Sequence, residues 1–317
     1  MKAQHHCAWA THSEFTASAF AFITALRKIK SMKLLAYLVG AGLLLGLGMP
    51  FARVAAFEGL QPLAFGFWPT AAAAAALAIF ALARSQAVFS LKVLRFGVVA
   101  GLLGYALPMV VAFWVAGNSG AGFASFGFTL PPAFTILLNV SLGREKPRAT
   151  RFLGVAIGFS AVLLLILHTA QLESISFALA AAVFVIPLSI SAANIYRSVF
   201  LPKGVSPEWL GAVTLGSAGL IIGCVGLAVD QLAVPTKPTL ALQIIAAQAA
   251  ALTVGYVLYF QLQKHAEPVT FSFLGYFMMM ASVGVGVVFL GESLSPTALV
   301  AVPAILAGLW LITKKAV

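Results

Sequence analysis

The chain has 317 residues, 62% hydrophobic and only 9% charged, with 19 Lys and Arg against eight Asp and Glu, a net charge of +11. So apolar a composition, with a mean hydropathy of +1.04, leaves too little polar surface to clothe one water-soluble core and implies an integral membrane protein. The basic residues are scattered between apolar runs that no soluble surface could carry, which argues against a nucleic-acid-binding face, and two distant cysteines, Cys7 and Cys224, make no disulfide framework.

Residues 1–31 stand apart. His5, His6, Cys7 and His12 precede FTASAFAFITALRKIK, where the charge follows the apolar stretch, the reverse of a secretory signal. No second Cys/His cluster completes a zinc site, so no metal or other cofactor is expected, and the segment reads as a disordered or interfacial leader. From Met32 onward, apolar runs long enough to span lipid recur at 34–52, 64–83, 95–115, 120–142, 151–169, 175–195, 208–229, 239–262, 268–290 and 296–313. They read as ten transmembrane helices, because strands of a lipid-exposed barrel would alternate polar and apolar residues and these runs do not.

Ten crossings allow the whole molecule to be oriented by its cations. With the N-terminus in the cytoplasm, 17 Lys and Arg fall inside and two, Arg53 and Lys237, outside. The densest group is GREKPRATR, Gly143 to Arg151, which reads as the cytoplasmic turn between the fourth and fifth helices, held at the anionic leaflet. On this reading Arg197 also belongs to a cytoplasmic loop, and no Lys or Arg is left at mid-membrane to meet a phosphorylated solute.

The two halves echo each other. LGREKPRATRFLGVAIGFSAVLLLI, from Leu142, matches LGESLSPTALVAVPAILAGLWLI, from Leu290: each opens Leu-Gly, reaches a Glu, and carries a small pair 15 and 16 residues later, Ser160-Ala161 and Ala307-Gly308. Upstream, Gly104-Tyr105 is echoed by Gly255-Tyr256, and Arg53 with Pro62 by Arg197 with Pro207. The expectation is an all-α integral membrane fold of two five-helix repeats, 32–170 and 171–317. Because five is odd, the second repeat enters the membrane from the other side, an inverted pair suited to alternating access.

In these Leu-Gly-Glu turns and the apolar helices after them the chain, over about residues 33 to 315, resembles the drug/metabolite transporter superfamily in its ten-helix EamA-type branch. The resemblance implies a multi-pass carrier of the bacterial inner membrane with both termini cytoplasmic, moving small metabolites or amphipathic compounds. GMPFARVAA in the first helix and Phe67-Trp68-Pro69-Thr70 in the second differ from the family's common pattern, so no particular substrate is implied.

Polar side chains inside helices cost free energy unless they find partners or line a wet path, so they are the site candidates. They are Trp68, Tyr105, Asn194, Gln248, Tyr256 and Tyr276, with Thr253 sharing part of the face of Gln248 and Tyr256. All eight acids map to the leader, loops or helix ends, which favours facilitated movement over a proton-coupled drug efflux antiporter. His168 reads as an interfacial histidine. Pro108, Pro131-Pro132, Pro187 and Pro303 are expected to bend their helices. A membrane-embedded enzyme would need a nucleophile with its base or a metal motif, and neither HExxH nor GxSxG is present. The favoured reading is a secondary transporter, exporter or facilitator, of an amino acid or another uncharged, zwitterionic or aromatic metabolite.

Overall fold

The computed structural model describes residues 32–112, 114–115, 126–144, 146–173, 177–234, 239–266, 271, 274–291, 303–304, 307–308 and 311. The leader, and with it His5, His6, Cys7 and His12, lies outside the described residues, as do Glu145, Lys237, Glu292 and most of the predicted tenth helix.

Among the described residues nine helices of ten residues or more follow one another: α1 Met32–Phe57, α2 Pro62–Ala83, α3 Leu91–Ala112, α4 Pro131–Ser141, α5 Ala149–Glu173, α6 Phe177–Phe200, α7 Pro207–Ala228, α8 Thr239–His265 and α9 Leu274–Leu290. Their starts follow local chemistry. Pro62 and Pro207 open α2 and α7, where a missing N–H costs nothing. Ser90 and Ser206 cap α3 and α7, each Oγ accepting from the backbone N–H three residues on, at 3.3 and 3.2 Å. α1 is interrupted at Leu47, whose N–H turns to Leu44, three residues back. Pro50, which has no N–H to give the preceding turn, stands three residues on.

Among the described residues six helices are long and apolar enough to cross a bilayer: α1, α2, α3, the Ala181–Phe200 part of α6, α7, and the Leu240–His265 part of α8. Two local expectations are corrected. Pro131 and Pro132 do not kink a helix spanning 120–142; they sit in the first turn of α4, after a 3-10 turn at Phe126–Thr129. Proline is tolerated there and disfavoured further in, so the helix begins at the prolines. Likewise α6 runs on to Phe200 rather than stopping at 195, which carries Arg197 into the helix.

The turn after α4 is built as its sequence suggests. Gly143 takes a left-handed φ of +66°, with Gly143 N–H donating to Val140 and Arg144 N–H to Asn139, the closing pattern of a Schellman cap. Its counterpart Gly291, after Leu290, has the same φ of +66°. GREKPRATR thus joins α4 to α5.

Helix packing repeats the sequence echo in space. α2 lies along α7; α3 packs on α7 as α8 packs on α2; and α1 rests on α8 and α9 as α6 rests on α3 and α4. Exchanging each helix for its counterpart five positions on leaves this set unchanged. The paired counterparts run antiparallel: Trp68 near the start of α2 bonds to Leu232 beyond α7, while Leu77 further along α2 meets Gly211 near the start of α7. α3 and α8 do the same, with Phe96 against Phe260 and Tyr105 against Tyr256. Past Leu290, Gly308 lies against the backbone of Gly154 and Gly158 on α5, so this member of the second small pair marks a helix contact.

α3 widens at Leu102–Ala106 into a π-helical turn, with Leu107 N–H reaching back five residues to Leu102. Pro108 explains it: its ring would press on the carbonyl four residues earlier and it donates nothing, so a looser turn relieves the clash. The hydroxyl of Ser189 on α6 donates to the carbonyl of Leu103 at 2.6 Å. Ser189→Ala is expected to leave that carbonyl bare in an apolar setting and cost about 1–2 kcal/mol, seen as a lower thermal midpoint in detergent; an unchanged midpoint would mean that the π-turn does not need this bond.

Candidate functional site

Where the halves meet, the middle of α3, the second half of α8 and the last two turns of α6 bring aromatic and polar side chains together. Tyr105 on α3 and Tyr256 on α8, the two echoed Gly-Tyr positions, face each other edge-on with ring centroids 6.2 Å apart. Tyr256 stacks on Tyr259 at 5.4 Å, and Tyr259 abuts Phe260 and Phe271 at 5.3 and 4.9 Å. On the far side, Thr70 of α2 lies 3.1 Å from the Tyr105 hydroxyl while its own hydroxyl donates to the Gly66 carbonyl at 2.6 Å. Thr70, Tyr256 and Tyr259 are all buried. The pairing Thr70–Tyr105–Tyr256–Tyr259 therefore runs from one repeat into the other.

Arg197 closes this row from α6. It is only 4% exposed, and its guanidinium carbon lies 5.3 Å from the Tyr259 ring centroid. Nη2 donates to the Asn194 side-chain oxygen at 2.7 Å, Nη1 lies against Gly104 in the π-turn, and Nε has no hydrogen-bond partner. Gly104 is 13 residues into α3 counted from Leu91, on the order of 20 Å along its axis, deep against a hydrocarbon layer of about 30 Å. The sequence-based placement of Arg197 in a loop is thus corrected: the longer α6 buries it and delivers a cation to the interior.

Magnitudes show how incompletely that cation is met. Removing an ion from water costs several kcal/mol even after relaxation. The bond to Asn194 returns about 1.5–3 kcal/mol and the Tyr259 face about 2 kcal/mol at best. No Asp or Glu among the described residues pairs with it.

The other predicted site residues divide. Asn194 joins the cluster as the acceptor for Arg197. Gln248 is buried two turns from Tyr256 on α8, facing Gly48 at the break in α1, with its carbonyl oxygen unpartnered. Trp68 is not brought in: it is exposed, packs edge-on to Phe67 and donates its indole N–H to the Leu232 carbonyl at 3.0 Å, tying the end of α2 to the segment after α7. The Thr253 hydroxyl donates back to the Ala249 carbonyl at 2.7 Å. Tyr276 lies on α9, and its side chain, like that of His168, is outside the described residues.

Sequence reading passed over Arg197, Thr70 and Tyr259. A signal for Arg197 was present: NIYR continues the apolar periodicity of α6 without a helix-stopping residue until Pro202. Tyr259, three residues beyond Tyr256, stands six residues before His265 and so well inside α8.

Known proteins bear on this arrangement in two ways. A family model described as the EamA-like transporter family matches residues 32–167 and again 174–314, once per half. A solved crystal structure is similar over 87% of this chain and 95% of its own, with a TM-score of 0.65 at 16% identity, a likeness of fold alone. No curated protein matches the chain.

Proposed function

The chain belongs to the EamA-like transporter family, a multi-pass membrane protein family whose members move small molecules, and on that footing we propose that it is a secondary transporter of a small organic metabolite working by alternating access. The single observation that carries this reading is the meeting of Tyr105 and Tyr256, one from each of the two family-matched halves, in one aromatic row at the seam. A site built at a pseudo-two-fold axis is met by the same chemistry from both halves, so rocking of one half against the other exposes it first to one face and then to the other. Antiparallel packing of α2 on α7 and of α3 on α8 supports inverted repeats. In this proposal the protein sits in a bacterial inner membrane with both termini cytoplasmic. Tyr105, Asn194, Gln248 and Tyr256, with Thr70 and Tyr259, line the solute path in this proposal. Amino acids and aromatic metabolites suit it best, because ring faces and neutral donors bind both at modest desolvation cost.

Reconstitution tests the reading. Proteoliposomes loaded with a panel of amino acids and aromatic acids are expected to show saturable uptake and counterflow, in which unlabelled solute inside accelerates entry of the labelled form. Flux that rises linearly with concentration and shows no counterflow, across the panel, would mean that the protein is not a carrier.

A further inference from the structure

Arg197 is the one charged side chain buried among the described residues, and its setting is unfinished. One Nη proton goes to Asn194, the Tyr259 face covers the guanidinium from one side, and Nε points to no acceptor. A planar cation with an idle N–H, held beside a row of tyrosines at the seam of two repeats, has the shape and charge to receive a planar anion.

We propose that Arg197 is the receptor for a single carboxylate on the transported solute, whose apolar or aromatic body lies along Tyr256 and Tyr259. The inference rests on the transporter reading of this site. It replaces the expectation that the interior holds no cation and that the solute is met by neutral groups alone. One buried cation matches one carboxylate, giving a pair of zero net charge in a low-dielectric interior, whereas a phosphate dianion would leave a buried negative charge. An aromatic or aliphatic monocarboxylate meets this condition fully, whereas a zwitterionic amino acid leaves its ammonium to be met by the tyrosine oxygens and ring faces alone. Asn194 is a positioning residue here: its oxygen fixes the guanidinium plane and leaves Nε free.

The test uses the full chain in detergent and reads thermal stability. The probes are matched pairs: L-phenylalanine and L-phenylalaninamide, phenyllactate and phenyllactamide, benzoate and benzamide, each at millimolar concentration, with phenyl phosphate alongside. At least one carboxylate is expected to raise the midpoint while its amide does not. Amides acting as well as acids, phenyl phosphate acting where no carboxylate does, or no carboxylate acting, would each overturn the proposal. Arg197→Gln removes the charge and keeps an N–H for Asn194. If the cation is unpaired until solute arrives, this variant without solute is expected to melt about 2 °C or more above the native protein, since an uncompensated buried charge has gone. Its carboxylate response should weaken at least about tenfold, and Arg197→Lys should restore part of it. A lower midpoint for Arg197→Gln with an unchanged carboxylate response would make Arg197 a structural cation and end the proposal. Failure of the two hypotheses is distinguishable: counterflow of neutral solutes alone removes the carboxylate and keeps the carrier, while a carboxylate-specific stability gain without flux does the reverse.

Discussion

Tyr256→Ala is expected to lower saturable transport at least about tenfold, equivalent to about 1.4 kcal/mol or more of lost interaction with the solute. The ring holds three others at once: Tyr105 of the opposite repeat edge-on, Tyr259 in a stack and Phe260 at 6.1 Å. Truncation leaves a cavity at the seam, and for a buried aromatic that alone costs about 3–5 kcal/mol of stability, so flux must be read beside a melting curve. Tyr256→Phe separates the two effects. It keeps every ring contact and so the fold, and it is expected to carry solute within about threefold of the native rate if aromatic surface is what the solute uses. Transport by the Ala variant at the native rate, in protein shown to be folded, would take α8 out of the path and with it the central row.

Much of this was legible in one sequence because lipid constrains so tightly. Apolar runs had to be helices, since backbone groups in hydrocarbon have no other partner, and the described helices fall on nine of the ten predicted runs. The repeat was legible because its markers are dictated by geometry: Leu142-Gly143 and Leu290-Gly291 share a left-handed glycine, and Gly104-Tyr105 and Gly255-Tyr256 meet. Helix ends were not legible, and the consequences were chemical rather than cosmetic. Stopping the sixth helix at 195 turned Arg197 into a loop cation, because the rule that places Lys and Arg on the cytoplasmic side cannot distinguish a loop arginine from one that enters the bundle near its end. Trp68 stands apart from the row, and for a different reason. An indole near a helix end suits a binding site and a tie to a neighbouring carbonyl equally well, and only the position of Leu232 shows that it is the tie.

Substitution at Gly46 is expected to give the largest loss of stability at a helix seam, and a second glycine supplies the control. Gly46 of α1 faces α9, where an added Cβ would stand 2.8 Å from the Met278 Cα and 2.9 Å from the Ala281 Cβ. The first of these obstacles is backbone, so no rotamer change relieves it and the helices must part. Two effects compete in Gly46→Ala: the better helix propensity of alanine gains up to about 1 kcal/mol, while overpacking costs about 1–3 kcal/mol, occasionally more. With main chain as the obstacle, the second should win. Gly284, on α9 itself, has nothing within 4 Å of an added Cβ, so Gly284→Ala receives only the propensity gain. The two variants should therefore move the thermal midpoint in opposite directions, Gly46→Ala down by several degrees and Gly284→Ala level or slightly up. Gly46→Val, bulkier and β-branched, should fall further than Gly46→Ala. Because α1 and α9 belong to different repeats, the loss at Gly46 also measures how tightly one half is seated on the other. Equal midpoints for the Gly46 and Gly284 variants would mean that α1 and α9 stand further apart than described here, and that the seam between the halves is held elsewhere.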